Sequence, residues 1–219
     1  MPRESLEAKI ARTKKIFAAL HATYPTAHCE LNFSNPLELL VATILSAQCT
    51  DKRVNIVTES LFKKYRSAAD FARADLAELE QEIKTTGFYR NKAKGIKAAA
   101  QSIVEEHGGK VPQTMEELVE LGGVGRKTAN VVLNTAFGEA TIAVDTHIFR
   151  VANRTGLAPG ATVRAVEDKL LKFVPDEFKQ DAHHWLILHG RYVCKARKPD
   201  CPQCVIRDLC EYRHKTPAP

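Results

Sequence analysis

Apolar residues recur along this chain at helical spacing, and nowhere do they alternate with polar ones over the length of a strand. Leu6, Ile10, Thr13, Phe17 and Leu20 share one face with charges elsewhere, which predicts a helix over 4–20. Asn35 followed by Pro36 reads as an N-cap and first helical residue. From Pro36 to Cys49 the chain is apolar nearly all round, so this helix is expected at the centre of the core. Further helices are expected over 52–65, 76–85, 90–107 (closed by Gly108 and Gly109) and 115–121. The last of these opens with Thr114 and Glu117 at capping-box spacing. Beyond them the pattern predicts helices over 126–137, 146–155, 163–173 and 180–193. The expected fold class is all-α. No low-complexity linker or tandem repeat divides the chain, and residues 212–219 read as a frayed tail.

Two of these helices are joined by Leu121-Gly122-Gly123-Val124-Gly125-Arg126-Lys127-Thr128. Its glycines let the chain turn sharply and bring bare backbone against another surface. Amides at the start of the second helix point outward at its positive end, which makes a phosphate site. Such a contact is to backbone phosphate and carries no sequence information. A plain glycine-capped turn between helices gives the same pattern. Lys127 falls in the first turn of the second helix, where a cation is electrostatically out of place. It reads either as a solvated or phosphate-binding lysine or as an amine nucleophile. Asp145 precedes the helix expected over 146–155 and reads as its N-cap. A capped carboxylate aimed into a cleft can also balance positive charge developing on a substrate.

Composition narrows the class. The chain has 219 residues, enough for one large domain or two small ones. Its net charge of +6 favours an anionic partner without naming it. Arg3, Glu4, Glu7, Lys9, Arg12, Lys14 and Lys15 exclude a signal-peptide core near the start. The most apolar stretch, Leu39 to Ala47, is too short to cross a bilayer. A cytoplasmic protein with no membrane partner is expected.

Four of the six cysteines, Cys194, Cys201, Cys204 and Cys210, crowd into one short C-terminal segment. In a reducing compartment this reads as a metal site rather than a disulfide framework. Four thiolates suit tetrahedral zinc or a [4Fe–4S] cluster, and ligand softness does not separate the two. Between the first two cysteines, Lys195, Arg197 and Lys198 read as a phosphate clamp or as solvated charge. Cys49 reads as a buried small hydrophobe.

Taken together, the glycine hairpin, Lys127 two residues after its last glycine, and Val144-Asp145-Thr146-His147-Ile148-Phe149-Arg150-Val151 resemble the helix-hairpin-helix glycosylase superfamily. The cysteine spacing x6, x2, x5 and the preceding Asp181-to-Val193 stretch are similar to the endonuclease III family within it. The usual hairpin core is Leu-Pro-Gly-Val-Gly; here Gly122 stands in place of the proline, which is expected to loosen the turn. The resemblance runs from about residue 10 to 212. It implies two helical lobes flanking a DNA-binding cleft. One is a helical barrel over 29–139, ending in the hairpin at about 115–136. The other joins 1–28 to 140–219 and holds the cluster, a [4Fe–4S]. Lys127 would be the nucleophile and Asp145 its activator, facing each other across the cleft. The adenine-mismatch branch usually has serine at the lysine position, so Lys127 argues against it.

The hairpin amides at Gly123 and Gly125, with Arg126 beside them, are expected to contact DNA phosphate, and Lys195, Arg197 and Lys198 are expected to do so near the cluster. Ser46-Ala47-Gln48-Cys49-Thr50-Asp51 is similar to the family's Ser-Ala-Gln-x-Thr-Asp stretch, which implies that Gln48 enters the duplex. Thr85 to Ala93 resembles the wedge loop for the opposite strand, with Phe88 stacking on the orphaned base. Anchoring of Phe88 and Tyr89 in the core is the alternative. The implied activity is that of a monomeric base-excision glycosylase and AP lyase. Its substrate is double-stranded DNA with oxidised pyrimidines or abasic sites. A monofunctional mismatch glycosylase and a non-catalytic DNA-binding protein are the rivals.

Overall fold

Side-chain caps start most helices of the computed structural model, which describes residues 4–217. Ser5, Asn35, Thr50, Ser67, Asp75, Thr114, Asp145 and Thr162 each accept a backbone N–H in the first turn they precede. The helices are α1 (Leu6–Thr23), α2 (Pro36–Ser46), α3 (Asp51–Lys64), α4 (Ala68–Arg73), α5 (Leu76–Glu82) and α6 (Tyr89–Glu106). They continue as α7 (Met115–Glu120), α8 (Arg126–Phe137), α9 (Thr146–Thr155), α10 (Val163–Phe173) and α11 (Asp176–Tyr192). Short 3-10 turns occupy Lys84–Thr86 and Arg207–Leu209. No strand occurs among the described residues, so the all-α expectation holds.

The chain divides into two units, Glu30–Glu139 and the described residues up to Cys29 together with those from Ala140 onward. In the first, α2 is central, with Leu39 through Leu45 all buried. Helix α8 packs on α2, and α4 and α5 pack on α6. Leu39, Leu40, Phe71, Leu79, Ile96 and Ile103 form its fully buried interior. In the second unit, Ile16, Phe17 and Leu20 of α1 pack with Ile148 and Val151 of α9 and with Trp185 and Leu186 of α11. Phe178 meets Trp185 edge-on at 5.9 Å, a favoured aromatic geometry.

Several boundaries differ from the sequence reading. Helix α2 stops at Ser46, not Cys49, because Gln48 takes a left-handed backbone (φ 53°) and Thr50 already caps α3. Cys49 is consequently half-buried rather than buried. Helix α5 ends at Glu82, and a 3-10 turn fills the rest of the stretch expected to reach 85. Helix α11 starts at Asp176, directly after Pro175. Helix α4 is an addition, although Ser67 and Asp70 form a full capping box that its sequence announces. The tail is docked, not frayed, as far as Thr216. The Thr216 hydroxyl donates to the Pro199 carbonyl and accepts from the Cys201 amide, and Lys215 donates to the Cys210 carbonyl. Residues 218 and 219 of that expected tail lie outside the described residues. No helix is long and apolar enough to cross a membrane among the described residues.

Candidate DNA-repair site and metal centre

The hairpin between α7 and α8 is held by close backbone packing. Leu121 and Val124 are buried anchors on either side of two glycines. Gly123 has φ 74°, a conformation that side-chain-bearing residues rarely adopt. A Cβ on Gly123 would lie 3.2 Å from the Gly95 Cα of α6. Gly122 is needed for space instead. A Cβ there would lie 2.6 Å from the Ala98 Cβ and 3.0 Å from the Gly95 carbonyl oxygen. Glycine in place of the expected proline therefore lets the hairpin lie tightly on α6, where a proline ring would collide. Gly125 is the N-cap of α8 and offers no side chain to its first amides. Those amides stay available to an anion. Lys127 is exposed in that first turn, and Arg126 is half-buried beside it.

Asp145 is the N-cap of α9, its Oδ1 accepting from the Ile148 amide at 2.8 Å. The cap uses one carboxylate oxygen and thereby orients the other. Asp145 is half-buried. Helix α9 is tied in turn to the segment bearing the cysteines. Arg150 donates to the carbonyls of Gly190 (2.7 Å) and Cys194 (2.8 Å). Arg154, one turn on, donates to the carbonyls of Lys195 (2.7 Å) and Ala196 (2.9 Å) and reaches the Cys194 Sγ at 3.6 Å. Its guanidinium also lies over the Tyr212 ring, 4.8 Å from the centroid. Sequence reading passed over both arginines, although their i, i+4 spacing on α9 was visible. What it lacked was the partner, since backbone carbonyls have no sequence signature.

Cys194, Cys201, Cys204 and Cys210 line one pocket with Val193, Pro199, Ile206 and Tyr212. None is in a disulfide. Burial pushes the Cys204 thiol up to about 11, and the other three cysteines add to the rise. Burial also raises Cys210. Four thiolates can share this apolar pocket only around a cationic metal group. His189, pushed down to about 4 by burial, stands as a neutral ring with its Nε2 3.6 Å from the Cys204 Sγ. Four thiolates lining one pocket are a donor set that fits an iron–sulfur cluster.

Lys195, Arg197 and Lys198 are all exposed on the loop whose carbonyls Arg154 holds. Lys198 has φ 49°. Among the described residues only Gln48, Phe88 and Lys198 combine a positive φ with a side chain. All three were assigned to DNA contact from the sequence. Such strain persists only where surrounding structure imposes it, and it concentrates at functional sites. Gln48 is exposed, and Phe88, the N-cap of α6, is 66% exposed. That exposure excludes core anchoring for Phe88. Lys127, Gln48, Phe88 and the hairpin glycines belong to the Glu30–Glu139 unit; Asp145, the cysteines and the cationic loop belong to the other.

Comparison with known proteins agrees with this chemistry. Residues 41–176 match the HhH-GPD superfamily base excision DNA repair protein family. Residues 194–210 match the iron–sulfur binding domain of endonuclease III. Endonuclease III of Escherichia coli (strain K12) is 54% identical over 205 residues, covering 94% of this chain and 97% of its own. Endonuclease III of Bacillus subtilis (strain 168) is 51% identical over 193 residues, 88% of each chain. Among solved structures, a trapped endonuclease III–DNA covalent intermediate is similar with a TM-score of 0.87 and 46% identity. That match covers 92% of this chain and 95% of the other. The chain belongs to the HhH-GPD superfamily of base excision DNA repair proteins and, within it, to the endonuclease III family. It is a base excision repair DNA glycosylase that carries an iron–sulfur cluster.

The purified protein should accordingly be yellow-brown, with broad iron–sulfur charge-transfer absorption. A colourless, active protein with one bound zinc would overturn the cluster. Cys204→Ser should bleach it and weaken the C-terminal segment, which has little core of its own. A loss of about 3 kcal/mol would lower the melting midpoint of a chain this size by roughly 6–12 °C.

Proposed function

We propose that this glycosylase is bifunctional. It removes oxidised pyrimidines from duplex DNA and then cleaves the abasic strand by β-elimination through a Schiff base on Lys127. The observation that carries this reading is Lys127 itself, an exposed amine in the first turn of α8, directly beyond a hairpin whose helix N-terminus has no side-chain cap. The trapped covalent intermediate of the 46% identical relative supports the same route.

The hairpin amides and the cationic loop grip backbone phosphates, so the enzyme can hold any sequence. Gln48 and Phe88 enter the duplex when the target nucleotide leaves the stack. The neutral Lys127 amine attacks the sugar anomeric carbon, and the bond to the base breaks with its electron pair departing on the base. Asp145 balances the positive charge that develops on the sugar and relays protons. The sugar ring then opens, the bond from the anomeric carbon to the ring oxygen breaking with its electron pair on that oxygen as the nitrogen gives up a proton, which leaves the imine. Loss of a proton from the next sugar carbon expels the 3′ phosphate, and water frees Lys127 from the imine. Cys194, Cys201, Cys204 and Cys210 hold the [4Fe–4S] cluster, which pins the cationic loop and takes no part in these steps. The enzyme works as a monomer in the cytoplasm on nucleoid DNA.

Borohydride trapping on an abasic-site duplex tests the central claim. A covalent complex supports it. Base release without trapping would favour a monofunctional mismatch glycosylase, and binding without base release a non-catalytic DNA-binding protein.

A second prediction concerns the grip. Arg197→Ala should weaken binding to all sequences alike and reduce the slope of log affinity against log salt by about one. An unchanged slope would mean that this loop does not touch DNA.

A further inference from the structure

Lys92, in the first turn of α6, is a buried lysine with no part in the chemistry above. It is 6% exposed. Its Nζ donates to the Leu45 carbonyl at 2.8 Å and to the Thr86 carbonyl at 2.8 Å. Removing an ammonium from water is unfavourable unless it is hydrogen-bonded, and burial accordingly lowers the Lys92 pKa. Both acceptors sit at segment ends. Leu45 is in the last turn of α2, where unpaired carbonyls and the helix dipole favour a cation. Thr86 ends the 3-10 turn before Gly87.

The position of those ends gives the contact its meaning. Leu45 lies three residues before Gln48, and Thr86 lies two before Phe88. Both residues are held at positive φ, which relaxes unless the flanking chain is fixed. A single nitrogen atom therefore fixes the roots of two loops that are far apart in sequence. Along the same helix, Gly95 follows Lys92 at i+3 and receives the glycine hairpin through Gly123. The first turns of α6 thus hold three loops of the Glu30–Glu139 unit in register.

We infer that Lys92 is a positioning residue for base extrusion: its buried ammonium locks the loops of Gln48 and Phe88 to each other, so that both side chains meet the duplex in one fixed arrangement. The inference rests on the reading that Gln48 and Phe88 enter DNA. It explains why a cation is retained where an apolar side chain would fill the space more cheaply.

The test compares two reactions of the cluster-loaded enzyme. One is single-turnover excision of an oxidised thymine from duplex DNA carrying 2-aminopurine beside the lesion. The other is cleavage of a preformed abasic site, whose sugar needs little help to leave the stack. Lys92→Met should slow excision roughly 10- to 100-fold, as expected for misplaced groups. It should also abolish the fluorescence rise of the unstacked 2-aminopurine, while abasic-site cleavage stays within about threefold. Lys92→Gln, which can reach only one carbonyl, should show the same split and decides the matter if the Met variant does not fold. Adding Lys92→Met to the double variant Gln48→Ala, Phe88→Ala should slow excision little further.

Excision and cleavage falling together, or a Lys92→Met effect that adds in full to the double variant, would overturn the inference alone. Unimpaired excision by the double variant would instead overturn the reading of Gln48 and Phe88 as inserting residues.

Discussion

Lys127→Gln should abolish the borohydride-trapped complex and the strand cleavage that follows from it, while the protein still binds abasic-site DNA. The carboxamide keeps much of the length and polarity of the side chain but cannot form an imine. Loss of a covalent nucleophile lowers rates by on the order of 10³-fold or more. Folding should not suffer. Lys127 is exposed, and its cation sits at the N-terminal end of α8, where a positive charge is unfavourable. Gel shifts on the same duplex separate the two effects, because the uncapped amides of α8 remain. Trapping that survives in Lys127→Gln would move the nucleophile to another amine and refute the assignment.

Asp145→Asn should still fold and bind but should release base about 10²- to 10³-fold more slowly, in the range found when one electrostatic stabiliser is removed. The structure makes this substitution unusually clean. Asparagine is as good an N-cap as aspartate, so the bond to the Ile148 amide can be kept while the charge is lost. Asp145→Ala removes both. It should cost about 1 kcal/mol of stability, or roughly 2–4 °C in melting midpoint, in addition to the rate. A rate loss confined to the alanine variant would make Asp145 a cap and nothing more. Combined with Lys127→Gln, the Asn substitution should add little, since both residues act on one reaction.

Helix starts and the cysteine ligands were both legible in the sequence. Asn35 before Pro36, the box of Thr114 and Glu117, and Asp145 before Thr146 announce helix starts because capping is decided within three or four residues. The spacing of Cys194, Cys201, Cys204 and Cys210 was equally readable, since all four lie in one short segment of this chain. The family itself was legible in those motifs. By themselves, then, the residues determined the all-α class, most of the helices and the family.

The tertiary structure decided what depends on partners distant in the chain. Lys92 looks like any surface lysine until its Nζ is found on a carbonyl 47 residues away. Gly122 looked like a loosened proline site, and only the Ala98 methyl and the Gly95 carbonyl opposite it reveal that no Cβ fits. Gln48 and Phe88 gave no local sign of a left-handed backbone, because neither is glycine and the strain is imposed by what holds their flanks. The C-terminal residues read as a polar, proline-bearing tail, yet Lys215 and Thr216 dock on the cysteine segment and Tyr212 packs on Arg154 of α9. In each case the deciding interaction is a backbone carbonyl, a missing methyl or a packed ring supplied by another element. Periodicity and capping report only on the turn in which they occur.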